Sequence, residues 1–197
     1  MTEKATLAGG PARYALATVA GGCFWCTEAI FRRLKGVESV ESGYAGGNPP
    51  GGRKNPSYEE VGTGTTNHAE SIQIAFDPEI IPYEKLLEIF FHTHNPTTVN
   101  RQGADVGSQY RSVIFYHNEK QKRIAEKVKD KVEKERTYKD PIVTSIQPFS
   151  EFYKAEEYHQ KYYERNKQNS YCSVVIDPKV QKLLKDYRND VKKEYQN

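Results

Sequence analysis

The residues best able to do chemistry are three cysteines and one carboxylate. Cys23 and Cys26 lie in the run Gly21-Gly22-Cys23-Phe24-Trp25-Cys26, and Cys172 stands far downstream. A thiol reacts as its anion, and an ordinary thiol with a pKa of ~8.5 is mostly protonated at neutral pH. A strand that runs through a glycine pair into a helix puts Cys23 at the helix N-terminus. Free N–H groups and the helix dipole favour an anion there, so a thiolate is expected at Cys23. The glycines permit a sharp turn that leaves the sulfur exposed. Phe24 and Trp25 then read either as a wall for a small apolar group or as plain core anchors. The Cys-x-x-Cys spacing of Cys23 and Cys26 is that of thiols able to close a disulfide at a helix start. The same pair also reads as half of a zinc site completed by His92 and His94. A second Cys-x-x-Cys is missing, however, and His92 and His94 diverge on a helix.

The carboxylate is Glu70. Counting by twos, it shares a strand face with Ile72, Ile74 and Phe76. A carboxyl on an apolar face is desolvated, so its pKa rises and it can serve as a proton donor at neutral pH. The alternative is that Glu70 precedes the strand and faces water.

The elements that must position these groups follow from hydrophobic periodicity. Strands are expected over 14–20, 37–44, 71–77, 111–117 and 142–146. Helices are expected over 24–35 and 119–138, with a strong one after Pro82, where Tyr83, Leu86, Leu87, Phe90 and Phe91 fall on one face. Residues 45–56 read as a Gly/Pro-rich loop and 97–109 as polar and irregular. Residues 149–163 read as an aromatic, partly helical segment. Cys172 borders Val174-Val175-Ile176, which reads as a strand edge, and 179–195 as a last amphipathic helix. The order β-α-β-β-α-β predicts an α+β two-layer sandwich with a ferredoxin-like βαββαβ core and additional C-terminal helices.

The 197 residues suffice for one domain, expected over 13–197 behind a flexible tail at 1–12. A net charge of +3, with basic residues interleaved among acidic ones in 119–139, argues for solvated helix faces and against a nucleic-acid footprint. No apolar run reaches membrane-spanning length. Three cysteines are too few for a disulfide scaffold, so a reducing, cytoplasmic setting is expected.

Gly22-Cys23-Phe24-Trp25, with Thr27-Glu28 behind it, resembles the signature of methionine sulfoxide reductase A. Further matches follow in order: Ser42-Gly43-Tyr44-Ala45-Gly46-Gly47, Asn55-Pro56-Ser57-Tyr58-Glu59-Glu60-Val61 and Gly64-Thr65-Thr66-Asn67-His68-Ala69-Glu70. Then come Phe91-His92-Thr93-His94-Asn95-Pro96-Thr97, Asn100 to Ser112, Phe149-Ser150, Ala155-Glu156 and His159-Gln160. The resemblance implies that Cys23 takes the oxygen from a methionine sulfoxide while Glu70 protonates it. It implies that Tyr44 and Tyr110 hydrogen-bond that oxygen and that Asp105 holds the substrate amide or a water. Phe24 and Trp25 would receive the methyl group, Gly22 would permit the turn, and His68 would lie among the substrate-binding residues. It further implies a Cys23 sulfenic acid resolved as a disulfide, and selectivity for the S epimer, free or in proteins. No metal or organic cofactor is implied. Thioredoxin would be the reductant, and the chain would act as a monomer without nucleic acid or membrane.

The chain departs from the commonest family pattern, which has Gly where Cys26 stands. Cys172 matches the approximate place of a recycling cysteine in many members. Cys26 is favoured for the first disulfide, with Cys172 relaying it or silent. Two other classes stay open: a general Cys-x-x-Cys thiol-disulfide oxidoreductase, and a non-catalytic metal- or peptide-binding module.

Overall fold

A computed structural model describes residues 13–47 and 55–196. The segment read as a tail, 1–12, and part of the loop read at 45–56 lie outside the described residues. One mixed six-stranded sheet forms the frame, built from β1 (Ala15–Gly21), β2 (Val37–Ala45), β3 (Ala69–Phe76), β6 (Ser112–Tyr116), β7 (Ser145–Pro148) and β8 (Phe152–Lys154). Their spatial order is β7-β6-β1-β3-β2-β8. All pairings are antiparallel except β6 with β7. A two-residue pair, β4 (Arg101–Gln102) and β5 (Asp105–Val106), stands apart from the sheet.

Side-chain alternation sorts the sheet into two unequal faces. On one, Ala17 and Val19 of β1, Ile72, Ile74 and Phe76 of β3, and Val40 and Tyr44 of β2 join the main core. Helices α1 (Phe24–Arg32), α3 (Tyr83–Thr93), α4 (Glu119–Lys134) and α6 (Asp177–Tyr187) contribute to the same core. Leu86, Leu87, Phe90 and Phe91 of α3 are buried there at the predicted i, i+3, i+4 positions. Each such side chain contributes roughly 1.5–3 kcal/mol of transfer free energy. The other face holds a small cluster of Ala20, Ala45, Ala69, Val113 and Phe115, packed by Phe149 and Phe152.

The register brings chemistry to one end of the sheet. β1 and β2 finish where β3 and β6 begin: Gly21 pairs with Ser112, and Tyr44 pairs with Glu70. α1 starts directly off β1, so Cys23, Glu70 and the turn before β6 meet at this end.

Three expectations shift. The aromatic segment 149–163 contains the edge strand β8 before its helical turns. The strand expected over 142–146 forms later, as Ser145–Pro148. Cys172 does not border a strand: Cys172–Ile176 is a π turn running straight into α6. There Cys172 and Ile176 are buried while Val174 faces solvent. A helical face has overridden the β-branched run.

Candidate active site

The turn between β1 and α1 carries Cys23. Gly22 has φ +90°, in the left-handed region that favours glycine, and a Cβ there would lie 2.5 Å from Gln102 Cγ. Cys23 occupies the N-cap position of α1, and its carbonyl accepts the backbone N–H of Cys26 at 3.1 Å. The next N–H, that of Phe24, is donated to Glu70 Oε2 at 3.0 Å. The helix start therefore feeds its donor to the carboxyl of β3.

A cavity of about 100 Å³ opens here, lined by Cys23, Phe24, Trp25, Tyr58, Glu70, Asp105, Tyr110 and Tyr171. Larger hollows line the α4 surface and the flank near Asn55 and Lys154, but neither holds a thiol. Glu70 is 3% exposed. Burial, opposed by the Phe24 N–H and reinforced by Asp105 and Cys26, pushes its carboxyl up to about 8. At neutral pH this is a protonated acid inside the cavity. The alternative, Glu70 facing water, is not what forms.

Cys23 differs from the expectation of a thiolate. It is 6% exposed. Burial first, then its contact with Cys26 and the charge of Glu70, hold its thiol well above the ordinary range, while a hydrogen bond with Tyr171 opposes them. Cys26 is lowered to about 7, chiefly because the Cys23 thiol donates to its sulfur. Within this pair Cys26 is the more acidic thiol. Burial of the sulfur opposes the anion that the helix terminus would favour at Cys23.

The aromatic wall has a supporting layer. Trp25 donates its indole N–H to His159 Nδ1 at 3.0 Å and stacks on Tyr162 with ring centres 3.6 Å apart. His159 also packs on Phe24 and Tyr58, at 5.0 and 4.4 Å between centres. Tyr171 sets its edge against Trp25 and donates its hydroxyl to Asp105 Oδ2 at 3.0 Å. Tyr110 leads into β6 and lines the cavity, and burial beside Glu70 raises its phenol.

Of the residues expected from sequence, Cys23, Phe24, Trp25, Glu70, Asp105 and Tyr110 line the cavity, with Gly22 at its turn. Cys26 lies behind Cys23, 1% exposed. Tyr44 does not line it. Its ring backs Phe24 at 5.8 Å, and its hydroxyl passes behind to donate to Glu156 Oε2 at 2.9 Å. Beside Tyr110 and Tyr171, the cavity holds Tyr58, from the short helix α2 (Tyr58–Gly62). Its phenol is raised to about 12 by burial and by Glu70. His68 is also displaced from its expected place: its ring packs against Gly47 and edge-on to Tyr153, outside the cavity lining. Cys172 is fully buried in the π turn, close enough to Cys26 for the two charges to repel. Sequence reasoning passed over Tyr58, His159, Tyr162 and Tyr171, although Tyr58 and His159 stand in matched runs.

All three cysteines are free thiols. Among the described residues, no group of three or more His, Cys, Asp or Glu is placed to hold a metal ion. His94 is turned inward, its Nδ1 on the Phe90 carbonyl and its Nε2 on Ser112 Oγ. Among the described residues, no helix is long and apolar enough to cross a membrane.

A sequence profile described as "Peptide methionine sulfoxide reductase" matches residues 15–192. The chain belongs to the peptide methionine sulfoxide reductase family. A relative in Saccharolobus solfataricus named "Peptide methionine sulfoxide reductase MsrA" is 55% identical over 177 residues, covering 90% of this chain and 97% of the relative. The crystal structure of Mxr1 from Saccharomyces cerevisiae in reduced form matches with a TM-score of 0.75 at 37% identity. That match covers 85% of this chain and 94% of that one. Mxr1 in complex with Trx2 matches with a TM-score of 0.53 at 28% identity, covering 80% and 91%. The chain is thus an oxidoreductase of the peptide methionine sulfoxide reductase A family, and its cavity is the place to look for that chemistry.

Proposed function

We propose that the chain reduces the S epimer of methionine sulfoxide, free and within oxidised proteins, with Cys23 as nucleophile and Glu70 as acid. The observation that carries this reading is the protonated Glu70 carboxyl in the same small cavity as Cys23, tied to the N–H of the residue after it. The sulfoxide oxygen is the group such an acid polarises, and Tyr58 and Tyr110 face it with two further hydroxyls. Phe24 and Trp25 supply the apolar wall for the S-methyl group, and Asp105 with Tyr171 offers polar contacts at the rim. Gly22 permits the turn that presents the sulfur.

The step balances as follows. Cys23 Sγ attacks the substrate sulfur as its proton passes to Cys26, the more acidic partner of the pair. Glu70 protonates the oxygen. The oxygen then leaves the substrate sulfur for Cys23, giving methionine and a Cys23 sulfenic acid. A second thiol condenses with that acid, releasing water and forming a disulfide. Cys26, against Cys23, is the resolving thiol. Cys172, behind Cys26, relays the disulfide or stays silent. No cofactor enters any step.

Thioredoxin is the reductant in this reading, supported by the similarity to the yeast protein solved with Trx2. The chain is read as acting as a monomer. The core order β6-β1-β3-β2, with α1 and α3 as crossovers, supports the ferredoxin-like description.

Trapping tests the assignment. A Cys26→Ser, Cys172→Ser double variant mixed with methionine sulfoxide should accumulate a sulfenic acid on Cys23, read by a carbon-nucleophile probe and peptide mass spectrometry. Methionine release without any label at Cys23 would sink it.

A further inference from the structure

His159 packs on three of the cavity's walls without lining it. It closes the short helical turn Glu157–His159 and is 1% exposed. Its ring centre lies 5.0 Å from that of Phe24, 5.6 Å from that of Trp25 and 4.4 Å from that of Tyr58. Those three rings all face the cavity. One polar contact joins this packing, the Trp25 indole N–H donated to His159 Nδ1 at 3.0 Å. An indole nitrogen can only donate, so Nδ1 holds a lone pair and the ring proton sits on Nε2. Among the described residues, that Nε2 is buried with no hydrogen-bond partner. The fold accepts an unpaired polar atom in order to keep a ring that accepts at Nδ1, and such local costs collect at working sites. The chain on either side of Gln160 is pinned to the same site. Gln160 Nε2 donates to the carbonyls of Ser42 and Ala155, both at 2.9 Å, and its Oε1 accepts the Ser42 N–H at 3.0 Å. Lys161 donates its backbone N–H to Glu28 Oε1 of α1 at 2.9 Å. The His159 turn is thus fastened to both β2 and α1.

We propose that His159 is a positioning residue for the methyl-group pocket, its Nδ1 fixing the Trp25 indole in the orientation that receives the substrate's S-methyl group. The inference rests on the reading of Phe24 and Trp25 as the wall of that pocket. Trp25 is only partly buried. Tyr162 covers one of its faces and Tyr171 meets it edge-on. Apolar ring contacts of this kind are non-directional and let an indole slide in its own plane. A hydrogen bond to a fixed acceptor is directional and removes that freedom. No bond of the reaction changes at His159. It acts through Trp25, so its loss should weaken capture of the substrate and leave the Cys23 and Glu70 chemistry in place.

The test uses the fully reduced full-length chain and its His159→Phe, His159→Asn and His159→Gln variants. Single-turnover methionine release is followed over a range of methionine sulfoxide concentrations, giving a saturating rate and a half-saturation concentration. The chain has one tryptophan, so a single indole N–H resonance reports the bond. Phe keeps a ring and removes the acceptor. Asn offers its oxygen where Nδ1 stands, and Gln carries the same amide one carbon further out. In His159→Phe the indole resonance should move upfield and exchange faster with solvent. The half-saturation concentration should rise roughly three- to tenfold, part of the selectivity that a fully formed methyl contact supplies, while the saturating rate stays within about twofold, the signature of lost binding. His159→Asn should return both readings toward wild type, and His159→Gln should not. If His159→Phe does not fold, the contrast of Asn with Gln carries the same comparison. An unmoved indole resonance overturns the proposal, as does a moved one with half-saturation unchanged. An equal or larger fall in the saturating rate also overturns it, since His159 would then support the fold around Cys23 rather than the pocket. No methionine from the wild-type chain would instead remove the reading beneath it, and the proposal with it.

Discussion

Two buried polar groups flank the Gly21-Gly22 turn, and they are treated oppositely. His94 lies against Gly21, fully enclosed, with one ring nitrogen on the Phe90 carbonyl at 2.6 Å and the other on Ser112 Oγ at 2.8 Å. Ser112 passes the chain on to Thr144. Burial lowers His94 to about 4, so a neutral ring with one donor and one acceptor is satisfied at both ends. Glu70, on the other side, accepts one backbone N–H and faces an open cavity whose lining, among the described residues, holds no cation. The first arrangement is finished and holds α3 to β6. The second is left incomplete, and in the proposed function its missing partner is the substrate oxygen. Burial alone does not mark a functional group; burial with unspent hydrogen-bonding capacity does.

The comparison can be broken at four points. The largest effect is expected from Cys23→Ser, which should yield no methionine while circular dichroism shows an intact fold. Next is Glu70→Gln, which should slow methionine release by roughly 10²–10⁴, the range for losing a positioned general acid. The wild-type release step should also fall as pH rises through about 8, since the acid form of Glu70 is lost there. Stopped-flow mixing across pH reads both.

The third point is stability. The folded chain keeps the Glu70 proton to about 8, while an unfolded carboxyl loses it near ~4.3. Folding stability therefore falls as pH rises through that window. Glu70→Gln removes this penalty, so its melting temperature should exceed that of wild type by more at pH 9 than at pH 5. The smallest effect on activity should come from His94→Ala. It leaves the Phe90 carbonyl and Ser112 unpaired and should cost about 1–3 kcal/mol, or somewhat more with the cavity it opens. The pH profile of methionine release should not change.

Much of this site was legible in the sequence, because short-range rules built it. Alternation by twos put Glu70 on the face of Ile72 and Ile74, and the glycine pair put Cys23 at a helix start. What depended on three-dimensional approach was not. Tyr44 sits on the correct face, directly opposite Glu70 in the ladder, yet its hydroxyl passes behind Phe24 to Glu156. Tyr58 reaches the cavity from a separate short helix, which no periodicity places. The rise of the Cys23 thiol turned on how deeply the folded chain would bury its sulfur. The strand read at 174–176 failed because Cys172 and Ile176 needed one buried helical face, and packing outweighed local preference.

The most direct measurement is single-turnover reduction of racemic methionine sulfoxide by the fully reduced chain with no added reductant, with the remaining epimers resolved. The account predicts about one equivalent of methionine, drawn from the S epimer alone, with one sulfenic acid or disulfide formed per chain. Consumption of both epimers, or methionine formed without loss of thiols, would contradict it.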